Sequence, residues 1–376
     1  MSRLEEDHLE GEDPEFPVEE ESEDSATAIT QPFDPAKIRV ETKQLSLDTL
    51  LSRIDNNEII LQPDFQRKEV WKEDARSRLI ESILIRIPLP AFYMDATDDE
   101  KWLVVDGQQR LSTLRDFVLK QSLHLQGLEF LSEFSGLPFG RLPRQFQRRI
   151  RETNVTVYLI EKGTPSAVKI NIFKRINTGG LPLSPQEFRH ALNGAPETDM
   201  LRQLASSTEF LKVTRGKIPT DRMADREYVA RFFAFLLTDP TSYTAQEFDS
   251  FLNEAMSRIN RLSQSERDVL SDRFKRAMKI AHDILGKHAF RKRYTLNDRL
   301  KPINKALFEA WSINLESLTD AQVATLKKRQ SKLWTGFMGL LQDRKFEQAI
   351  SQGTGDINRV KLRFRSIKQL LQDVLA

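Results

Sequence analysis

The sequence predicts an α+β protein in which a mixed domain of strands and helices is followed by an α-helical domain. Two observations predict this division. Short apolar runs alternate with helically spaced apolar positions from about residue 58 to residue 192, whereas only helical patterns follow. A chain of 376 residues is also long enough for two domains of ordinary size. The predicted parts are an acidic segment, a mixed domain and a helical domain, with boundaries at 1–36, 37–195 and 196–376.

The acidic segment is predicted to be a disordered tail. Residues 1–35 contain thirteen acidic residues and one basic residue, Arg3, with few large apolar side chains to bury. A solubilising tail is the simpler interpretation, and a tail that shields a basic groove by resembling DNA is the alternative. The rest of the chain carries 56 basic and 42 acidic residues. This balance favours an anionic partner, unless the basic residues are only dispersed over a solvated surface.

Hydrophobic periodicity predicts the elements of the mixed domain in chain order. Residues 58–61 form a short strand, and residues 74–87 a helix that Pro88 ends. Two apolar runs separated by an acidic turn form a hairpin or neighbouring strands. The hairpin strands and the elements after them are expected at 91–94, 102–105, 108–120 (helix), 155–160 (strand), 166–176 (helix) and 185–192 (helix).

The second half of the chain has helical periodicity almost throughout. Only the run Val360 to Arg365, in which apolar and basic residues alternate, is also compatible with a strand. The helices are expected at 228–237, 248–262, 266–285, 301–311, 320–341 and 357–374.

Several classes of protein are excluded by what the sequence lacks. No apolar run approaches the roughly 20 residues of a membrane span, and the N-terminal residues lack the basic and apolar pattern of a secretory signal, so we expect a cytoplasmic protein without a membrane partner. The absence of cysteine excludes thiolate and cysteine-zinc chemistry. No Walker-type run occurs, which excludes a P-loop NTPase. The five histidines form no metal-finger pattern, so no intrinsic nuclease is predicted.

The segment around Asp106 and Gly107 is the main candidate for chemistry. An apolar strand turns there into a helix, and the first turn of a helix offers unpaired amides to an anion such as phosphate. Asp106 is suited to bind Mg²⁺ or to orient a water, and Arg110 to bind phosphate oxygens. Alternatively Asp106 is only a helix cap and Arg110 a surface ion pair. The residues alone leave these two interpretations equally weighted.

Residues 106–114, Asp-Gly-Gln-Gln-Arg-Leu-Ser-Thr-Leu, closely resemble the signature of the GmrSD-type restriction endonuclease N-terminal domain family. Segments 63–71, 82–93 and 173–180 resemble that family in the expected order, and the resemblance covers about residues 45–195. It implies a ParB/sulfiredoxin-like fold and hydrolysis of a nucleoside triphosphate that regulates DNA cleavage in defence against phage. Sulfiredoxin-type chemistry is excluded because the chain has no cysteine.

The candidate residues of the nucleotide site fall into two groups. Catalytic roles are assigned to Asp106, Gln108, Gln109 and Arg110, with Mg²⁺ as the expected cofactor and Asp106 as its ligand. Nucleotide binding is assigned to Gly107 and to residues of two neighbouring motifs. Instead of binding the nucleotide, Arg67 could make a cation–π contact with Trp71. The turn that follows Arg175 could likewise be only a helix C-cap. Glu81 is a weaker candidate for polarising water, with an exposed or paired helix carboxylate as the alternative. The motif residues assigned to nucleotide binding are Gln66, Arg67, Arg175 and Asn177.

A basic stretch before the last strand is the candidate nucleic-acid surface. Arg141, Arg144, Arg148 and Arg149 have aromatic residues among them, as a surface that follows a phosphate backbone would, although a solvated helix face is the usual explanation. Clusters at 287–293 and 359–365 make the second half basic. We therefore expect an NTP-hydrolysing sensor or regulator of a DNA-targeting defence system. The alternatives are a non-enzymatic nucleic-acid-binding module and a subunit that docks a separate nuclease; homo-oligomerisation is left open.

Overall fold

A computed structural model describes residues 18–19, 39–61, 71–164, 168–169, 172, 184, 186–187, 189–190, 195–244 and 248–376. The chain folds into two compact units. One is Pro32–Ser184, and the other combines Met1–Gln31 with Pro185–Ala376. The first contains a five-stranded mixed sheet and the second is helical in its described part, so the predicted α+β class is confirmed.

Strands and helices alternate in the first unit, whose elements are β1 Val40–Ser46, α1 Leu47–Asp55, β2 Ile59–Ile60, α2 Glu73–Leu84, β3 Phe92–Ala96, β4 Trp102–Asp106, α3 Gln108–Leu114, α4 Arg144–Glu152 and β5 Asn154–Glu161. The sheet order is β1-β5-β3-β4-β2. The pair β3–β4 is antiparallel, so the predicted hairpin is confirmed. Strand β5 pairs antiparallel with β1 and parallel with β3, and β2 pairs parallel with β4.

One face of this sheet forms the hydrophobic core of the unit. Alternate residues of the central strands, such as Phe92, Met94 and Val157, are fully buried and belong to one cluster with apolar residues of α1 and α2. Each fully buried side chain of this kind contributes about 1.5–3 kcal/mol relative to an exposed one. Because side chains alternate along a strand, the residues between them lie on the opposite face.

Helix α3 is shorter than the sequence predicts, because the chain widens into a π-helical turn at Arg115–Leu119. This turn keeps Phe117 and Val118 in the core. Beyond it, Glu81 anchors the next segment: its buried carboxylate accepts backbone hydrogen bonds from Glu129, Phe130 and Leu131 at 2.7–3.0 Å. Glu81 therefore acts as a paired helix carboxylate, the alternative to a role in polarising water.

The described part of the second unit packs helices around a core rich in aromatic residues. The single helix expected at 320–341 is wrong, because the chain turns at Arg329 and forms two helices. The strand alternative at 360–365 is excluded, since these residues are helical and bury Val360 and Phe364. The helices are α5 Ala195–Ala205, α6 Thr208–Thr214, α7 Ala224–Leu237, α8 Phe248–Asn260, α9 Gln264–Leu285, α10 Lys305–Glu316, α11 Asp320–Lys328, α12 Gln330–Gln342, α13 Arg344–Ser351 and α14 Ile357–Leu375.

A buried ionic network joins three of these helices. The carboxylate of Glu309 in α10 is fully buried and contacts Arg231 of α7 at 2.7 Å and Arg363 of α14 at 2.5 Å. Removing one partner from such a network leaves a buried charge uncompensated, which costs about 3–5 kcal/mol. Arg363 is thus a structural residue of the 359–365 basic cluster.

Two residues of the acidic N-terminal segment lie on the helical unit. Val18 forms a parallel β-bridge with Ile303, and the Glu19 amide donates to the Ile303 carbonyl at 2.9 Å. The Glu19 carboxylate accepts hydrogen bonds from Lys292 at 2.7 Å and from Asn304 at 3.1 Å. The acidic segment therefore makes a specific attachment to the helical unit at this point.

Candidate functional site

The turn from β4 into α3 places the predicted catalytic residues together. Gly107 is the N-cap of α3, with φ 96° in the left-handed region that favours glycine. A Cβ atom at this position would also overlap the Phe92 ring, so the close approach of β3 to the turn requires glycine. The turn brings the side chain of Asp106 beside the first turn of α3. The sequence predicts this strand–glycine–helix arrangement correctly.

Arg110 lies inside the protein and holds the site together. Its guanidinium donates to the carbonyls of Pro90 and Ala91 and to Asp106 Oδ2, the last at 2.8 Å. The guanidinium carbon also lies 4.5 Å from the centre of the Phe92 ring. Burial lowers the pKa of Arg110, and the Asp106 carboxylate partly offsets this by raising it. The side chain therefore links β4, α3 and the segment before β3.

Asp106 keeps part of its carboxylate available to a ligand. Its side chain is 33% exposed, and Oδ2 is the oxygen that accepts from Arg110. Within the described residues no group of three or more histidine, aspartate or glutamate side chains forms a metal site. One carboxylate together with substrate phosphates is nevertheless a usual ligand set for Mg²⁺, so the donor chemistry of Asp106 fits this ion.

Gln108 and Gln109 begin α3 and are half-buried. The side-chain carbonyl oxygen of Gln108 is buried and has no hydrogen-bond partner among the described residues. A buried acceptor without a donor is costly, and a ligand hydroxyl, amide or water would satisfy it. The backbone carbonyl of Gln109 accepts a hydrogen bond from the Thr113 hydroxyl at 2.8 Å, which steadies the first turn.

Two tyrosines near Asp106 escape prediction from the sequence. Tyr93 is the cross-strand partner of Asp106, and its ring stacks on Tyr158 of β5 with ring centres 4.8 Å apart. Burial raises the pKa of Tyr93, and the nearby Tyr158 and Asp106 raise it further. Their positions in separate apolar runs carry no signal of this contact, because the parallel pairing of β3 with β5 creates it.

The remaining residues assigned to nucleotide binding, Gln66, Arg67, Arg175 and Asn177, lie outside the described residues. Lys169, which precedes segment 173–180, is among the described residues. Its ammonium group pairs with the buried carboxylate of Asp95 at 2.9 Å.

The candidate nucleic-acid residues are divided between solvent and the protein interior. Arg141 lies in a 3-10 turn before α4, and Arg144 and Arg148 are in the helix; all three are exposed. Arg149 instead donates to the Leu84 carbonyl and lies over the Phe146 ring. A cavity of about 360 Å³ beside α4 is lined by Ser46, Asp48, Arg144, Gln147, Arg148, Arg151 and Glu152.

The 287–293 cluster is largely engaged inside the helical unit. Arg291 is buried and donates to the Lys301 carbonyl. Lys292 binds Glu19 and Ser351, and Arg293 lies over the Trp334 ring at 4.6 Å. These side chains stabilise the fold in their observed positions.

No helix of the described residues is long and apolar enough to cross a membrane.

Comparison with known protein families finds a match within the mixed domain. The family model described as GmrSD restriction endonuclease, N-terminal domain, matches residues 47–193. This range contains the whole Asp106 to Arg110 site, and it confirms the resemblance deduced from the sequence. No curated protein matches the chain.

Proposed function

We propose, on the premise that residues 47–193 are a GmrSD-type N-terminal domain, that this protein is a component of a restriction-like defence system against phage. Within that system it binds and hydrolyses a nucleoside triphosphate and so acts as a sensor or regulator of DNA cleavage. The observation that carries the proposal is the turn at Asp106–Gly107, where a partly exposed carboxylate lies beside the first turn of α3. Amides at the start of a helix favour phosphate.

Each residue of the site has a proposed role. Asp106 orients the attacking water or binds Mg²⁺, and Gln108 and Gln109 hydrogen-bond the nucleotide. Arg110 is a positioning residue, because its guanidinium is occupied by Asp106 and two backbone carbonyls. When bound, Mg²⁺ supplies charge neutralisation of the phosphate oxygens.

Phosphate release tests this proposal. The full chain is incubated with Mg²⁺ and each of ATP, GTP, CTP and UTP, with and without DNA. We expect release with at least one nucleotide, and a decrease of about 100-fold in the Asp106→Asn variant, the scale of a lost catalytic carboxylate. Asp98→Asn, an exposed aspartate in the β3–β4 turn, is the matched control and should hydrolyse at the wild-type rate.

Two results would contradict the proposal. Equal rates in wild type and a folded Asp106→Asn variant would remove Asp106 from the chemistry. Absence of release with every nucleotide, in the presence and absence of DNA, would leave a nucleotide-independent role for the domain.

Binding to a nucleic-acid backbone through α4 is the second candidate function, favoured by the exposure of Arg141, Arg144 and Arg148. Each phosphate contact contributes a slope of about −0.9 to the dependence of log affinity on log salt for duplex DNA. Arg144→Ala and Arg148→Ala should each make the slope about one less steep. Arg149→Ala is the control, since its side chain is engaged by Leu84 and Phe146. Binding that does not change with salt would exclude this function.

A further inference from the structure

A row of four side chains crosses the sheet and ends at the candidate site. Thr42 pairs with Tyr158, Tyr158 pairs with Tyr93, and Tyr93 pairs with Asp106. Directly paired residues on neighbouring strands have their side chains on the same face of a sheet. Thr42, Tyr158 and Tyr93 therefore lie on the face opposite the hydrophobic core. The row ends at Asp106, beside an irregularity where the register of β3 with β4 shifts between Tyr93 and Met94.

The alternation of the strands fixes the direction of the two tyrosines. Phe92 and Met94 flank Tyr93 and are fully buried, and Val157 and Leu159, which flank Tyr158, are buried in the same core. Both tyrosines are half-exposed, and their rings are stacked with an interplanar angle of 20°. The two rings are thus stacked on each other, and their surface remains partly accessible to solvent.

The spacing of the row suits a nucleotide. Neighbouring strands lie about 4.8 Å apart, so the three positions from Asp106 through Tyr93 to Tyr158 span about 10 Å. A nucleoside with its phosphate chain has a comparable length. Bases stack readily on aromatic side chains, largely without regard to sequence, because every base has a π-face.

We infer that Tyr93 and Tyr158 form the nucleoside-binding part of the site, with the base packed against the tyrosine pair and the phosphates at the Asp106–Gly107 turn. This inference rests on the proposed nucleotide site and extends it by naming what binds the nucleoside. Stacking tolerates different bases, so the tyrosine pair provides affinity, and a choice among bases requires other residues.

Binding measurements on the full chain test the inference with two probes. One is the nucleoside triphosphate that the wild-type protein binds best, and the other is inorganic tripolyphosphate, which has no nucleoside. Tyr93→Leu and Tyr158→Leu should each weaken nucleotide binding on the order of tenfold, as expected for loss of one stacking contact, and leave tripolyphosphate binding unchanged. Tyr93→Phe and Tyr158→Phe keep the rings and should bind the nucleotide as wild type does.

The outcomes separate this inference from the proposed function. Unchanged nucleotide affinity in folded leucine variants, or an equal loss for both probes, would overturn the tyrosine role while leaving hydrolysis at Asp106 intact. Tyrosine-dependent binding without phosphate release would overturn hydrolysis and retain the nucleoside site. Absence of binding to either probe in the wild-type protein would overturn both.

Discussion

Asp106 Oδ2 accepts a hydrogen bond from Arg110 Nη2 at 2.8 Å, and the same guanidinium holds the carbonyls of Pro90 and Ala91. The guanidinium of Arg110 thus faces the protein interior rather than solvent. Its contribution to the site is to fix the Asp106 carboxylate and the start of β3. Arg110 should therefore matter for stability as well as for turnover.

Arg110→Ala should both destabilise the protein and reduce nucleotide turnover. The variant leaves two carbonyls and a partly buried carboxylate without their donor, for which we expect a loss of about 2 kcal/mol in the free energy of unfolding. Urea unfolding measures this loss, and Arg115→Ala is a comparison at a partly exposed arginine on the following π-turn. An unfolding midpoint equal to that of wild type would show that Arg110 does not brace the turn.

Gly107→Ala should be more destabilising than glycine replacement at another left-handed position. Ala at φ 96° costs about 1–2 kcal/mol for its backbone, and overlap with the Phe92 ring adds about 1–3 kcal/mol. Gly136 has φ 79° and open space around its Cβ position, so Gly136→Ala should show only the backbone cost. Phe92→Leu should partly rescue Gly107→Ala. Equal losses at the two glycines, measured by urea unfolding, would argue against the steric explanation.

Glu81→Gln should destabilise the protein at neutral pH and weaken its response to acid. Burial alone would raise the pKa of Glu81, but hydrogen bonds from the Glu129, Phe130 and Leu131 amides lower it by more, and the net pKa is below its usual value. A lowered carboxyl pKa stabilises the fold above the unfolded pKa of about 4.3, and this contribution is lost as pH falls through the folded pKa.

The test compares unfolding free energies of wild type and Glu81→Gln between pH 7 and pH 3. We expect Glu81→Gln to lower the free energy of unfolding by about 2 kcal/mol at pH 7, the scale of a weakened charge-assisted hydrogen bond. This difference from wild type should become smaller below about pH 4. Glu129→Gln, an exposed carboxylate on the anchored segment, serves as the control and should have little effect. A difference between wild type and Glu81→Gln that stays constant with pH would contradict the assigned charge state.

The Glu19–Lys292 contact should stabilise the attachment of the acidic segment. Lys292 is mostly buried and binds Glu19 at 2.7 Å, and the pKa of Lys292 is raised: burial lowers it, but the hydrogen bond to Glu19 and nearby negative charges raise it more. A double-mutant cycle with Glu19→Ala and Lys292→Ala measures the coupling between the two side chains in the free energy of unfolding. We expect a coupling of about 1 kcal/mol that decreases with salt. The exposed pair Asp199–Arg202 should couple more weakly. Zero coupling at low salt would rule out a stabilising contact.

Local patterns predicted much of the fold because the physical cause is itself local. Two apolar runs separated by an acidic turn identified the β3–β4 hairpin, and helical spacing identified α2, α9 and α14. Strand β1 and the helices α1, α5, α6 and α13 were missed. The β1 sequence, Val-Glu-Thr-Lys-Gln-Leu-Ser, is largely polar and exposed, and it becomes a strand by pairing with β5 more than 100 residues later. No local pattern reports such a pairing.

The sequence by itself determined the turn from β4 through Gly107 into α3, because a strand, a glycine and a helix start are contiguous in the chain. The tertiary structure alone decided that Arg110 faces inward and that Tyr93 and Tyr158 stack near Asp106. It also decided that the Glu81 carboxylate anchors residues 129–131 and that Glu19 forms an ion pair with Lys292. These relationships depend on which face of an element is buried and on which strands become neighbours. Both are set by packing between residues far apart in the chain, where sequence spacing carries no information.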